Sequence, residues 1–194
     1  MKIISFDGMR ASGKSTQLSK LIQLLEKNNQ KIKVLHEKDY EPFRSITLFW
    51  NKKRDKRFYL SDVQSFAGAR KKVYEREIQP LESSLDFLLY DRCFHTSAVY
   101  QQGILSMDEI IRVNLDLGIP NPDKSFIFVC NPETSFGRMK ERDNYVEPIS
   151  EISKRRKLYI ELARQHPELY LIDTTGETED DVFEEVKFGL GLER

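Results

Sequence analysis

Gly8-Met9-Arg10-Ala11-Ser12-Gly13-Lys14-Ser15, followed by Thr16, carries the spacing of a loop that wraps phosphate. Glycines at both ends let backbone N–H groups turn inward around phosphate oxygens. The Lys14 ammonium can then reach the β- and γ-phosphates, and the Ser15 hydroxyl can ligate Mg²⁺. A helix opening at Lys14 adds its positive N-terminal end. The chemistry implied is nucleoside triphosphate and Mg²⁺ binding over Gly8 to Thr16. Arg10 is the irregular residue, a guanidinium inside a loop built to hold anions.

Further along, Asp91-Arg92 closes an apolar run. A carboxylate there can hold a metal-bound water or orient an acceptor, and an arginine can grip a phosphate with two parallel hydrogen bonds. An ordinary strand-end ion pair reads equally well from the dipeptide alone. Phe66 and Arg70 stand four apart in a helical stretch and so share a face. A ring to stack on a base and a guanidinium to bond its carbonyl would read a pyrimidine; a core Phe beside a surface Arg is the plainer reading. Tyr100 and Gln101 lie in a segment able to close over a sugar.

These residues need a scaffold, and the pattern supplies one. Residues 2–6, 31–35, 86–91, 124–130 and 169–173 read as buried strands. Between them run helical stretches: 14–28, a long helix capped by Ser61 and running to about Glu82, one behind the Ser106/Glu109 capping box, one opening at Asn131-Pro132-Glu133, 150–165, and a last helix after Thr178. Strands alternating with helices predict an α/β fold: a three-layer P-loop architecture with a five-stranded parallel sheet covered by helices on both faces. Ligands in such sheets bind beyond the strand C-termini. No linker or repeat divides the 194 residues, so one domain over 1–194 is expected, with a short basic lid at about 138–148.

Composition narrows the class. Thirty-one Lys and Arg balance thirty-one Asp and Glu, which argues against binding long nucleic acid. No apolar run reaches the ~20 residues of a membrane span, and no signal peptide's apolar region opens the chain. The two cysteines, Cys93 and Cys130, suit a reduced cytoplasm and are too far apart for a metal knuckle. His36, His95 and His166 show no ligand spacing. Asn51-Lys52-Lys53-Arg54-Asp55 is one residue too long for a GTPase base reader and reads as a solvated charge run.

Four segments in order resemble the thymidylate kinase family. FDGMRASGKSTQ is similar to its phosphate loop. SFAGARKK (65–72) is similar to its base-binding helix, DRCFHTSAVYQ (91–101) to its Asp-Arg segment, and RMKERDNYVE (138–147) to a shortened lid. The resemblance implies a kinase that converts dTMP and MgATP to dTDP and ADP. It puts Arg92 on the monophosphate and Asp91 towards metal and acceptor. Phe66 and Arg70 go to the base, with Ser97 in the middle of the Asp-Arg segment, Tyr100 and Gln101 near the sugar, and Arg44 on a further phosphate. Thr174 to Glu177 fall near adenine. Lys14, the Mg²⁺ ion held by Ser15, and the lid cations Arg138, Lys140 and Arg142 would stabilise the transferring phosphoryl group, and a homodimer is implied. A related kinase with another acceptor, or a nucleotide-binding protein without transfer activity, are the other readings.

The chain departs from the family where substrate is handled. Arg10 stands where an acid is usual, with Ala11 after it; Cys93 replaces an aromatic residue or His, and Asn144-Tyr145 replaces the lid's Asp-Arg. Arg10 has three candidate roles: a solvated side chain, an acceptor contact, or an arginine finger in cis. The short lid favours the finger, since a cation must then come from elsewhere.

Overall fold

The computed structural model describes residues 1–52, 57–142 and 146–192. Five strands form one parallel sheet: β1 (Lys2–Gly8), β2 (Ile32–Leu35), β3 (Phe87–Asp91), β4 (Lys124–Val129) and β5 (Leu169–Asp173). Their order is β2-β3-β1-β4-β5. The first strand is therefore central, and the chain departs from it in both directions. That reversal opens a crevice at the C-terminal ends of β1, β3 and β4.

The helices are α1 (Lys14–Lys27), α2 (Phe43–Lys52), α3 (Leu60–Glu77), α4 (Phe94–Tyr100), α5 (Met107–Asp116), α6 (Pro132–Arg142), α7 (Ile149–Gln165) and α8 (Glu179–Gly189). The period-2 alternation of β1 decides what each layer holds. Ile4 and Phe6 join Leu18, Leu21 and Leu25 of α1 and Val182 and Val186 of α8 in one core. Ile3 faces the other core with Leu88, Tyr90, Ile127 and residues of α3, α4, α5 and α7. On that second side Ser5 donates to Ser125 at 2.9 Å across the strands, and Asp7 sits wholly buried. The three layers and five parallel strands are those expected from the sequence.

Several boundaries moved. Ser106 and Glu109 form the expected reciprocal cap, and Thr178 caps α8. The long helix begins one residue before Ser61, with the Asp62 carboxylate accepting from the Tyr59 N–H at 3.0 Å. It ends at Glu77, and Pro80 lies in the 3-10 turn that follows, Gln79–Ser84. Helices α2 and α4 have no counterpart in the sequence reading. The charge run at 51–55 begins as the last turn of α2; residues 53–56 lie outside those described, as do Asn144 and Tyr145 of the lid and the Arg142 side chain.

Candidate active site

The phosphate loop joins β1 to α1 over the crevice. Its two glycines are needed for different reasons. A Cβ at Gly8 would stand 2.1 Å from the Phe128 carbonyl oxygen, so only glycine lets β1 and β4 approach there. At Gly13 a Cβ would meet nothing, and the demand is a φ of +85°. Scaffold donors hold the loop's carbonyls: Ser135 Oγ on Arg10 (2.9 Å), Arg138 Nη1 on Ala11 (3.2 Å) and Thr174 Oγ1 on Ser12 (3.2 Å). Across a trans peptide the N–H points opposite to the C=O. Those three bonds therefore turn the N–H groups of Ala11, Ser12 and Gly13 towards the other, concave side.

Lys14 is buried and folds back, donating to the Met9 carbonyl. Burial first, and then the Arg92 charge beside it, hold its ammonium well below the usual lysine range; Asp91 and Asp7 pull the other way. Met9 itself is core.

Beside the loop lies a cavity of about 410 Å³. Arg10, Lys14, Ser15, Asp91, Arg92, Arg70 and Ser97 line it, with Ala11, His36, Glu37, Lys38, Phe43, Cys93 and Thr96. Asp91 ends β3, and its carboxylate lies 3.2 Å from His36 Nδ1. Arg92, at a φ of +71°, turns the chain into α4 and donates from Nη1 to the Gly8 carbonyl at 2.8 Å. Ser15 and Asp91 bring a hydroxyl and a carboxylate to the same cavity. Those hard oxygen donors fit Mg²⁺.

The base-reading pair is arranged differently from the sequence reading. Phe66 and Arg70 do share the inward face of α3, and both are buried. Arg70 lines the cavity, where its guanidinium bonds Glu37, Asn114 and Ser97 (3.0 Å). Burial raises the Glu37 pKa, with the Arg70 cation opposing. Phe66 stays outside the lining. Phe43 of α2 stands in front of it, edge to face at 5.4 Å, and presents the aromatic wall.

Other expected residues are spread more widely. Arg44 is exposed and donates to the Asp39 carbonyl at 2.7 Å. Tyr100 lies under the Arg155 guanidinium at 4.0 Å, and Gln101 is buried; neither lines the 410 Å³ cavity. A second hollow, of about 220 Å³, opens on the far side of the loop between Gly13, Thr16, Gln17, Arg138, Glu141, Thr174 and Glu177. Arg138 thus belongs to the α8 side of the loop. Lys140 is exposed and lies over the Phe136 ring at 4.5 Å.

Asp7 was passed over by sequence reasoning. Its Oδ1 accepts from Cys93 N (3.0 Å), Thr96 N (2.9 Å) and Thr96 Oγ1 (2.6 Å), so the end of β1 caps α4 from outside that helix. Burial would raise its pKa, but His95, Thr96 and the Cys93 N–H outweigh it and hold the carboxylate ionised far below the usual range. Its neighbours Cys93 and His95 complete a buried Asp-Cys-His cluster. Spacing gave no sign of this set, because Asp7 joins it from 86 residues away.

A central phosphate loop at the switch point of a parallel five-stranded sheet, with cavities on both sides, defines a P-loop kinase fold. The thymidylate kinase family model matches residues 6–186, and the chain belongs to that family. It is 28% identical to the thymidylate kinase of Thermosipho africanus, over 95% of this chain and 94% of that protein. It is 29% identical to the probable thymidylate kinases of Sulfolobus acidocaldarius (95% and 94%) and Pyrobaculum aerophilum (96% and 97%).

Proposed function

We propose that the protein transfers the γ-phosphoryl group of ATP to dTMP, giving dTDP and ADP. The observation that carries this reading is the 410 Å³ cavity. It joins the phosphate-loop residues Lys14 and Ser15 to Asp91, Arg92 and a wall of Phe43, Arg70 and Ser97. ATP takes the hollow lined by Gly13, Thr16, Arg138 and Thr174, with its phosphates on the loop, and the monophosphate takes the larger cavity. Arg92 holds the acceptor phosphate, and Phe43 and Arg70 hold the base. An acceptor phosphate oxygen attacks the γ-phosphorus in line, and ADP leaves. Positioning and positive charge do most of this work. Lys14 and Arg10 line the cavity where that charge develops, and Arg10 acts there as a finger in cis. Ser15 and Asp91 would hold Mg²⁺, which supplies charge neutralisation on the triphosphate.

A single domain over 1–194 rests on the undivided sequence pattern, and a lid over about 138–148 and a homodimer rest on the family resemblance; the exposed Leu48 and Phe49 of α2 offer apolar surface for a partner copy. The cytoplasm is the compartment in which ATP, dTMP and the free thiols Cys93 and Cys130 are compatible. The test is incubation with MgATP and a panel of nucleosides and nucleoside monophosphates. dTMP should give ADP and dTDP in equal amounts with the highest kcat/KM. A higher value for any other acceptor, or ADP without phosphorylated product, overturns the assignment.

A further inference from the structure

We infer that Asp7, Cys93 and His95 form a binding site for a thiophilic divalent transition metal of the Zn²⁺ class, distinct from the Mg²⁺ site at Ser15 and Asp91. The three side chains come from the end of β1 and the start of α4, and each is 5% exposed or less. Cys93 Sγ lies 3.1 Å from Asp7 Oδ2 and 3.1 Å from His95 Nδ1, and the last two atoms are 3.8 Å apart. A point equidistant from the three lies about 2 Å from each, against Zn–N and Zn–O bonds of about 2.0–2.2 Å and Zn–S of about 2.3 Å. Side chains can thus accept an ion with small adjustments.

The donor types agree with that size. One sulfur, one imidazole nitrogen and one carboxylate oxygen form a mixed soft and borderline set, which selects Zn²⁺ or Co²⁺ over Mg²⁺ and Ca²⁺. The surroundings orient it. Three donors from Cys93 and Thr96 converge on Asp7 Oδ1, so that oxygen fixes the carboxylate and Oδ2 is the one turned to the cluster. Cys93 also lines the 410 Å³ cavity, which gives an ion its way in. Binding replaces the S–H bond by S–Zn, and the proton leaves to the buffer. The ion would tie β1 to α4 directly beneath the phosphate loop. This inference does not depend on which acceptor the enzyme uses.

The experiment uses the full chain, stripped with a chelator, kept reduced, without nucleotide and in excess Mg²⁺. Co²⁺ is titrated as a coloured substitute for Zn²⁺. A thiolate-to-cobalt charge-transfer band should saturate at one ion per chain and vanish when Zn²⁺ is added. Cys93→Ser should lose the band, and Cys130→Ser should keep it. X-ray absorption at the zinc edge of the wild-type adduct needs no variant and should show one sulfur among nitrogen and oxygen neighbours. No band in the wild type, a band that survives in Cys93→Ser, or a zinc shell without sulfur would each overturn the site and leave a purely hydrogen-bonded cluster.

Discussion

In the proposed reaction two arginines, Arg92 and Arg10, handle the phosphates. Arg92 spends one N–H on the Gly8 carbonyl, which fixes the guanidinium against the root of the phosphate loop. Arg92→Lys keeps the charge but loses both that anchor and the planar fork. Loss of one charged hydrogen bond costs ~1.5–3 kcal/mol, or roughly one to two powers of ten. We expect the acceptor KM to rise by that factor with the ATP KM little changed; the opposite split would place Arg92 on the donor side. Arg10 lines the same cavity from the loop tip. As a finger, its loss in Arg10→Ala should lower kcat by ~10³-fold or more while leaving both Michaelis constants near wild type. A raised acceptor KM at constant kcat would instead make it an acceptor contact, and no change would make it a solvated side chain.

At the scale of elements, β1 and α4 depend on each other through Asp7. Because its pKa is lower folded than unfolded, Asp7 adds stability that is present above the unfolded value of about 3.9 and fades as pH falls. Asp7→Asn should therefore cost ~1.5–3 kcal/mol at neutral pH. The gap from wild type in denaturant melts should narrow on acidification below pH ~4; a gap constant with pH would show that shape, and not charge, matters there. The two loop glycines give a second contrast. Gly8→Ala drives a methyl into the Phe128 backbone and should leave little folded protein. Gly13→Ala meets open space and should cost only the ~1–2 kcal/mol of a left-handed residue. Equal thermal shifts for the two would contradict this account.

The same elements explain what was legible in the sequence. All five strands were, because apolar runs bounded by polar residues mark buried parallel strands. The phosphate loop was legible too, since its backbone demands glycine. Helix α4, FHTSAVY, was not: its aromatic and β-branched residues are poor helix formers, and its cap comes from Asp7 across the fold. Helix α2 was missed for similar reasons. That omission hid Phe43, which reaches the cavity in front of Phe66 although the Phe66/Arg70 spacing placed those two correctly on one face. Arg70's partners Glu37, Asn114 and Ser97 come from three other segments, a convergence no local spacing encodes.

For the whole molecule, the loop stands between two hollows of about 410 and 220 Å³, and Ala11 borders both. With ATP in one and the monophosphate in the other, as proposed, donor and acceptor would be held at once, without a phosphorylated enzyme between half-reactions. Initial-rate plots against ATP at several dTMP concentrations should intersect; parallel lines would mean a covalent intermediate and refute this arrangement.

The central place of β1 also bears on how the chain is made. Synthesis delivers this strand and the phosphate loop before their partners, since β1 pairs with β3 from Phe87 onward and with β4 from Lys124 onward. Contacts so distant along the chain close slowly. On the ribosome, Gly8 has no Phe128 to lie against until β4 has left the exit tunnel. The nascent enzyme must then carry β1 unpaired until β3 has emerged, and nucleotide can meet a finished loop only after β4 has followed.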